Sequence, residues 1–218
     1  MISEKRKPLI IGILAATAVI MAGIGIYYWF NSSFFVSTDD ARVAADLVRV
    51  SPQMTGRILE LDIEEGDSLI KDQIIGRQEI MNASQSNVEA SIIRAPISGM
   101  VLKKTGMPGE LASMGQSVAV LADLEKVYIS ANIEEKKLGK IKIGQPVDVT
   151  IDQYKGLKLK GKVMSVGLAS NSAFSLLPST TGGTFTKTVQ RIPVKIAIDK
   201  GDELLLPGTN AVIKIHVR

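Results

Sequence analysis

Little in this 218-residue chain could do covalent chemistry. It has no cysteine and a single histidine, His216, which excludes disulfides, thiolate metal sites and thiol nucleophiles. His216 closes the alternating stretch Ala211-Val-Ile-Lys-Ile-His216, where a strand histidine is expected. No serine and carboxylate can be assigned to it as a catalytic set. The densest acidic stretch, Glu60, Asp62, Glu64, Glu65 and Asp67, lacks the alternating ligands and closing glutamate of a calcium loop. Glu60, Asp62 and Glu64 share one strand face by parity, so a solvated face is expected, as it is for the stripe Lys158, Lys160, Lys162. No catalytic residue, cofactor or metal is expected, and the chain reads as non-enzymatic.

The side chains are carried by a β unit written twice between residues 47 and 123. The first copy runs Arg49-Val-Ser-Pro52-Gln-Met-Thr-Gly56, then Gly66-Asp67, then Asp72-Gln73-Ile74-Ile75. The second runs Arg94-Ala-Pro96-Ile-Ser-Gly99, then Gly109-Glu110, then Gly115-Gln116-Ser117-Val118. From Gly56 and Gly99 onward the copies align without a gap at an offset of 43. Apolar and polar residues alternate around glycine turns, the pattern of half-buried strands. Neither copy can bury its apolar face alone, so the two should close on each other as a pseudo-symmetric sandwich. Residues 80–91, between the copies, are small and polar, sufficient for at most a short turn of helix.

Leu9 to Phe30 is a run of 22 uncharged residues preceded by Lys5-Arg6-Lys7-Pro8. As a helix it would measure about 33 Å against a hydrocarbon core of roughly 30 Å. The basic residues lie before it, which predicts an N-terminus inside, and Tyr27, Tyr28, Trp29 and Phe30 stand where it would leave the bilayer. A cleaved signal peptide would have a shorter apolar region and small residues at its end. The expectation is a cytoplasmic tail at 1–7, an anchor at 8–30, a linker and first strand at 31–46, and the rest outside the cytoplasm. That rest carries 23 basic and 21 acidic residues, so the basic balance carries no nucleic-acid message.

Beyond residue 123 the pattern remains β: Val127–Ile133, the turn and strand Ile143–Ile151, and the alternating Leu157–Val163 predict a small barrel within 124–188. Residues 189–218 are expected to form further, membrane-proximal strands. The stretch 168–188 reads as a loop too long for a merely solvated connection. Its bulky residues Phe174, Leu176, Leu177 and Phe185 either dock a partner or fold back on the barrel.

The repeat resembles the biotinyl/lipoyl carrier fold, in which a lysine between the halves bears the cofactor. Here Asn82 stands at that place and residues 78–93 hold no lysine, so an attached cofactor is excluded on chemistry. The order of motifs is wider still: Thr38-Asp-Asp-Ala41, Val50-Ser-Pro-Gln-Met-Thr-Gly56, Arg94-Ala-Pro-Ile-Ser-Gly99, Val127-Tyr-Ile-Ser-Ala-Asn-Ile-Glu-Glu135, Gly144-Gln-Pro-Val147 and Gly183-Thr-Phe-Thr-Lys-Thr-Val-Gln-Arg-Ile-Pro-Val194. Together they resemble the membrane-fusion, or periplasmic adaptor, proteins of the haemolysin-secretion family, in particular the multidrug-resistance adaptors that serve major-facilitator exporters. The resemblance implies a mostly β fold with a split lipoyl-like sandwich at 47–123. It also implies an adaptor that docks on a polytopic exporter in the inner membrane and assembles with copies of itself. Gln190 and Arg191, with Phe174, Leu176, Leu177 and Phe185, become candidate docking residues. The long helical hairpin of tripartite pumps is missing, since only about twelve residues stand in its place, so no direct outer-membrane channel is expected. An envelope scaffold or sensor without a transporter is the alternative reading.

Overall fold

The computed structural model describes residues 7–79, 88–154, 157–170, 173 and 189–217. Helix α1 spans Lys7–Phe34 and passes directly into strand β1, Phe35–Ala44. The expected linker is therefore absent. Asn31-Ser-Ser contains no proline or glycine to stop a helix, and the chain turns to strand only where Val36 enters the barrel core. Among the described residues no helix is long and apolar enough to cross a membrane. Within α1 the side chains are described without interruption only from Leu14 to Phe30.

Eight short strands follow: β2 Leu47–Val50, β3 Gly56–Leu61, β4 Ser68–Leu69, β5 Ile74–Gln78, β6 Ile92–Arg94, β7 Gly99–Lys104, β8 Leu111–Ala112 and β9 Ala119–Ala122. They form two four-stranded sheets, ordered β2-β9-β7-β4 and β6-β5-β3-β8. The repeat explains the order. Each copy places its two longer strands in one sheet and its two flanking strands in the other, so the halves interlock. The shared core contains Ile58, Ile63 and Ile75 from one copy and Val101, Val118 and Leu121 from the other. The turns repeat as well. Gly66 N donates to Val101 O at 2.8 Å and Gly109 N to Ile58 O at 2.7 Å. The Gln73 side chain accepts from Ile70 N at 2.9 Å, and the Gln116 side chain from Ser113 N at 3.1 Å. Residues 80–87, including Asn82, lie outside the described residues. Beyond them Glu89–Ser91 makes a single 3-10 turn.

The remaining strands are β10 Tyr128–Glu134, β11 Pro146–Ile151, β12 Lys158–Val166, β13 Arg191–Asp199 and β14 Asn210–His216, with the short helix α2 at Glu135–Leu138. With β1 they close a barrel in the order β1-β10-β13-β12-β11-β14. Strict alternation turns Ile129 and Ile133, Val147 and Val149, Ile213 and Ile215 inward, each at most 1% exposed. The expected separate membrane-proximal strand domain at 189–218 is thus corrected: β13 and β14 are staves of this barrel. A barrel has no edges only when its last strand meets its first, and here that closure needs residues from near both ends of the chain. Two compact units result, one of residues 1–41, 131–196 and 211–218, the other of 42–130 and 197–210.

Candidate docking site

Three stretches quoted above meet at one end of the barrel. Thr38, Asp39 and Asp40 come from β1, Asn132 and Glu134 from the end of β10, and Gln190 and Arg191 from the start of β13. Each position follows from strand direction: the beginnings of β1 and β13 and the end of β10 lie side by side. Asn132 Nδ2 donates to Asp40 Oδ1 at 3.0 Å, and Thr38 Oγ1 donates to the Asn132 carbonyl at 3.2 Å. Thr38 Oγ1 in turn accepts from Asp40 N at 3.1 Å. Arg191 forms an ion pair with the other Asp40 oxygen. Beside it, Glu135 N donates to the Gln190 carbonyl at 3.0 Å, and Lys137 pairs with Glu134 at 3.2 Å.

Beside this network lies a polar cleft of about 170 Å³ lined by Thr38, Asp39, Asn132, Glu134, Lys137 and Arg191. Its charges are mostly matched internally, and it holds no nucleophile with an adjacent base. It offers a polar surface of largely paired charges. Arg191 keeps half its side chain exposed, 49% against 28% for Asp40, so it presents donors outward while Asp40 holds its orientation.

Of the candidate docking residues, Arg191 lines this cleft, and Gln190 precedes it in the chain with its carbonyl bonded to Glu135 N. Phe174, Leu176, Leu177 and Phe185 lie outside the described residues. Sequence reasoning did not single out Asp40, Asn132 or Lys137 as site residues. Their motifs were visible, but Asp40 is 92 positions from Asn132 and 151 from Arg191, and nothing local reports that they touch.

The histidine has a different role. His216 Nε2 lies 2.7 Å from Asp148 Oδ2 on the neighbouring strand, and its ring meets the Phe35 ring edge-on at 4.9 Å. Lys160 also pairs with Asp148, and hydrogen bonds with Lys160 first and His216 second hold that carboxyl below its ordinary value. This cluster ties β11, β12, β14 and β1 together on the outside of the barrel. Among the described residues no group of three or more His, Asp or Glu side chains could hold a metal ion. The acidic face is engaged elsewhere: Glu60 pairs with Arg77 at 3.2 Å and Glu64 with Lys104 at 3.1 Å.

Comparison with known proteins gives this geometry a family. Residues 46–124 match the family described as RND MFP, barrel-sandwich hybrid domain. Residues 127–215 match the YknX-like beta-barrel domain. The chain is 32% identical over 186 residues to the "Putative efflux system component YhbJ" of Bacillus subtilis (strain 168), covering 85% of this chain and 81% of that protein. It is 32% identical over 150 residues to the multidrug export protein EmrA of Haemophilus influenzae, covering 64% of this chain but only 38% of that protein. Among solved structures, the membrane fusion protein Spr0693 of Streptococcus pneumoniae R6 shares the fold with a TM-score of 0.61, at 13% identity over 84% of this chain and 99% of that one. The chain belongs to the membrane-fusion protein family, the periplasmic adaptors.

Proposed function

We propose that this protein is a non-enzymatic, membrane-anchored adaptor of an efflux system, docking on a polytopic exporter of the major-facilitator multidrug type. The observation that carries the reading is the match across four-fifths of a protein named a putative efflux system component, together with this chain's own sandwich-plus-barrel layout. The cleft lined by Thr38, Asp39, Asn132, Glu134, Lys137 and Arg191 is the docking end, with Asp40 orienting Arg191 beside it. Phe174, Leu176, Leu177 and Phe185, which precede Gln190 in the sequence, are the candidate apolar docking residues. Helix α1 is the anchor, because the sequence gives it 22 uncharged residues with basic residues before them.

The connection between the sandwich halves limits reach. Residues 80–91 extended as helix would measure about 18 Å, well short of a bilayer core of roughly 30 Å. The adaptor therefore works in a two-component system with no outer-membrane channel of its own. It surrounds the exporter's outer mouth as an oligomer, or binds one access state of the exporter in preference to another, which shifts that equilibrium by the difference in affinity.

The test is affinity purification of the full-length, C-terminally tagged protein from membranes in mild detergent, followed by mass spectrometry. Stoichiometric recovery of a polytopic exporter is expected. Recovery of the protein alone, repeated after crosslinking in intact cells, would overturn the exporter reading and favour an envelope scaffold.

A further inference from the structure

We propose that the end of the barrel from which α1 departs, the same end that carries the docking cleft, faces lipid on its Ile143 side. In this reading Ile143 enters the bilayer interface, and Lys136, Lys140, Lys142 and Lys162 around it hold anionic phospholipid headgroups. The proposal rests on the reading of α1 as a membrane anchor.

The anchor and this end of the barrel are joined at several points. Val217 N, just past β14, donates to the Phe34 carbonyl at 3.0 Å. The Phe35 ring lies under Lys214 Nζ at 3.9 Å and against His216. The strand register extends the same end across the barrel. Val147 stands opposite Ile215, and Pro146 opposite Lys162, so the start of β11 and the end of β12 are there too. The segment 135–145 connects the end of β10 to the start of β11 and so crosses this end.

That segment is built as a braced turn with one apolar residue out. Ile141 faces the barrel interior at 8% exposure, while Ile143 stands at 72%. Gly144 holds the left-handed conformation (φ 88°) that reverses the chain. The Gln145 side chain accepts from Lys142 N at 2.8 Å and donates to the Lys140 carbonyl at 3.2 Å. Ile143 is thus held outward by its own turn, with Lys142 beside it and Lys140 and Lys136 exposed along the same segment. An apolar tip collared by lysines matches an anionic bilayer interface, where the tip leaves water and the collar meets phosphate.

Distance agrees. The apolar run of the anchor ends at Phe30 and the barrel begins at Phe35, so four helical residues, about 6 Å of rise, separate them. The headgroup layer on one side of a bilayer is of the same order, about 5–7 Å. The barrel end therefore lies at headgroup level without any linker to lift it away.

The chain has no cysteine, which permits a clean test. Ile143→Cys in the full-length protein is labelled with an environment-sensitive fluorophore and placed in nanodiscs of phosphatidylcholine alone or with about 30% phosphatidylglycerol. Val19→Cys, labelled in parallel, reports whether α1 spans the bilayer. The expected result is a blue-shifted emission at position 143, quenched by headgroup-proximal spin-labelled lipid, in the anionic discs and much less in the neutral ones. Each lysine should contribute about fivefold to the bound population, so the triple change Lys136→Gln, Lys140→Gln, Lys142→Gln should abolish the shift. About 0.5 M salt should do the same on the unaltered lysines. A water-exposed label at 143 in both discs, with position 19 quenched by acyl-chain spin labels, would overturn the lipid surface and leave the anchor standing. Equal burial in both discs would overturn headgroup recognition. An unquenched label at 19 would remove the anchor reading and this proposal with it.

Discussion

Asp72 and Gly115 occupy the same place in the two copies of the sandwich repeat and share one left-handed backbone conformation, φ 66° and 83°. One of them carries a Cβ and the other does not. A side chain in this region costs roughly 1 kcal/mol, and aspartate is among the few residues that tolerate it. Gly115→Ala should therefore lower stability by about 1 kcal/mol, while Asp72→Gly should leave it within about 0.5 kcal/mol because relieved strain and added unfolded-state freedom offset. Denaturant unfolding of both variants checks this, and a large loss from Asp72→Gly would mean the aspartate side chain is needed in its turn.

A second symmetric pair is far less tolerant. A Cβ on Gly56 would stand 2.6 Å from the Glu79 carbonyl oxygen, and one on Gly99 would stand 2.5 Å from that of Ala122. Both obstacles are backbone atoms, so neither can swing aside. Gly56→Ala and Gly99→Ala should each cost about 2–3 kcal/mol. Equal losses in the two variants, read from unfolding midpoints, would confirm that the copies bear the same packing constraint.

The Asp40–Arg191 pair is half exposed, so its own worth is discounted to about 0.5–1 kcal/mol. Arg191→Ala should cost no more than that. Asp40→Ala also removes the acceptor of Asn132 and should cost about 1–2 kcal/mol. If Arg191 docks the exporter, Arg191→Ala will reduce co-purified exporter several-fold while the unfolding midpoint scarcely moves. A parallel fall in both would assign Arg191 to the barrel alone.

Acid should reveal the outer cluster of the barrel. Lys160 and then His216 hold Asp148 below its ordinary value of 3.8. A carboxyl depressed in the folded state contributes stability above its unfolded value, and the contribution is lost as pH falls through the lower, folded one. The difference in unfolding midpoint between the protein and its Asp148→Asn variant should thus be constant above about pH 5 and shrink below pH 3.8. A difference that grew on acidification would contradict the assignment.

The sandwich was legible because its repeat is local: Gly66 and Gly109, or Gln73 and Gln116, announce the same turn twice. The barrel strands were legible singly, through alternation such as Val147-Asp-Val-Thr-Ile151. Their closure was not, since β1 pairs with strands far along the chain, and residues 189–218 read as a separate layer. The helix end was misplaced for a different reason. No breaker follows Phe30, and only the burial of Val36 in the barrel fixes where helix gives way to strand. The cleft was half legible. Gln190 and Arg191 were singled out by resemblance, but the partner that orients Arg191, Asp40, could be recognised only once the barrel was closed.

The interlocked sheets separate holding together from reaching out. Strands β5 and β6 are direct neighbours, with Arg77 opposite Ile92, so the two ends of the connection between the halves lie side by side. Among the described residues, none between Glu79 and Ile92 belongs to the shared core. Lengthening the connection adds only loop-closure entropy, about 0.6 kcal/mol for each doubling. The sandwich is in this sense an open socket: inserts of very different length can be exchanged there while the fold that grips them is conserved, and the span of such a protein can change in evolution without its foundations being rebuilt.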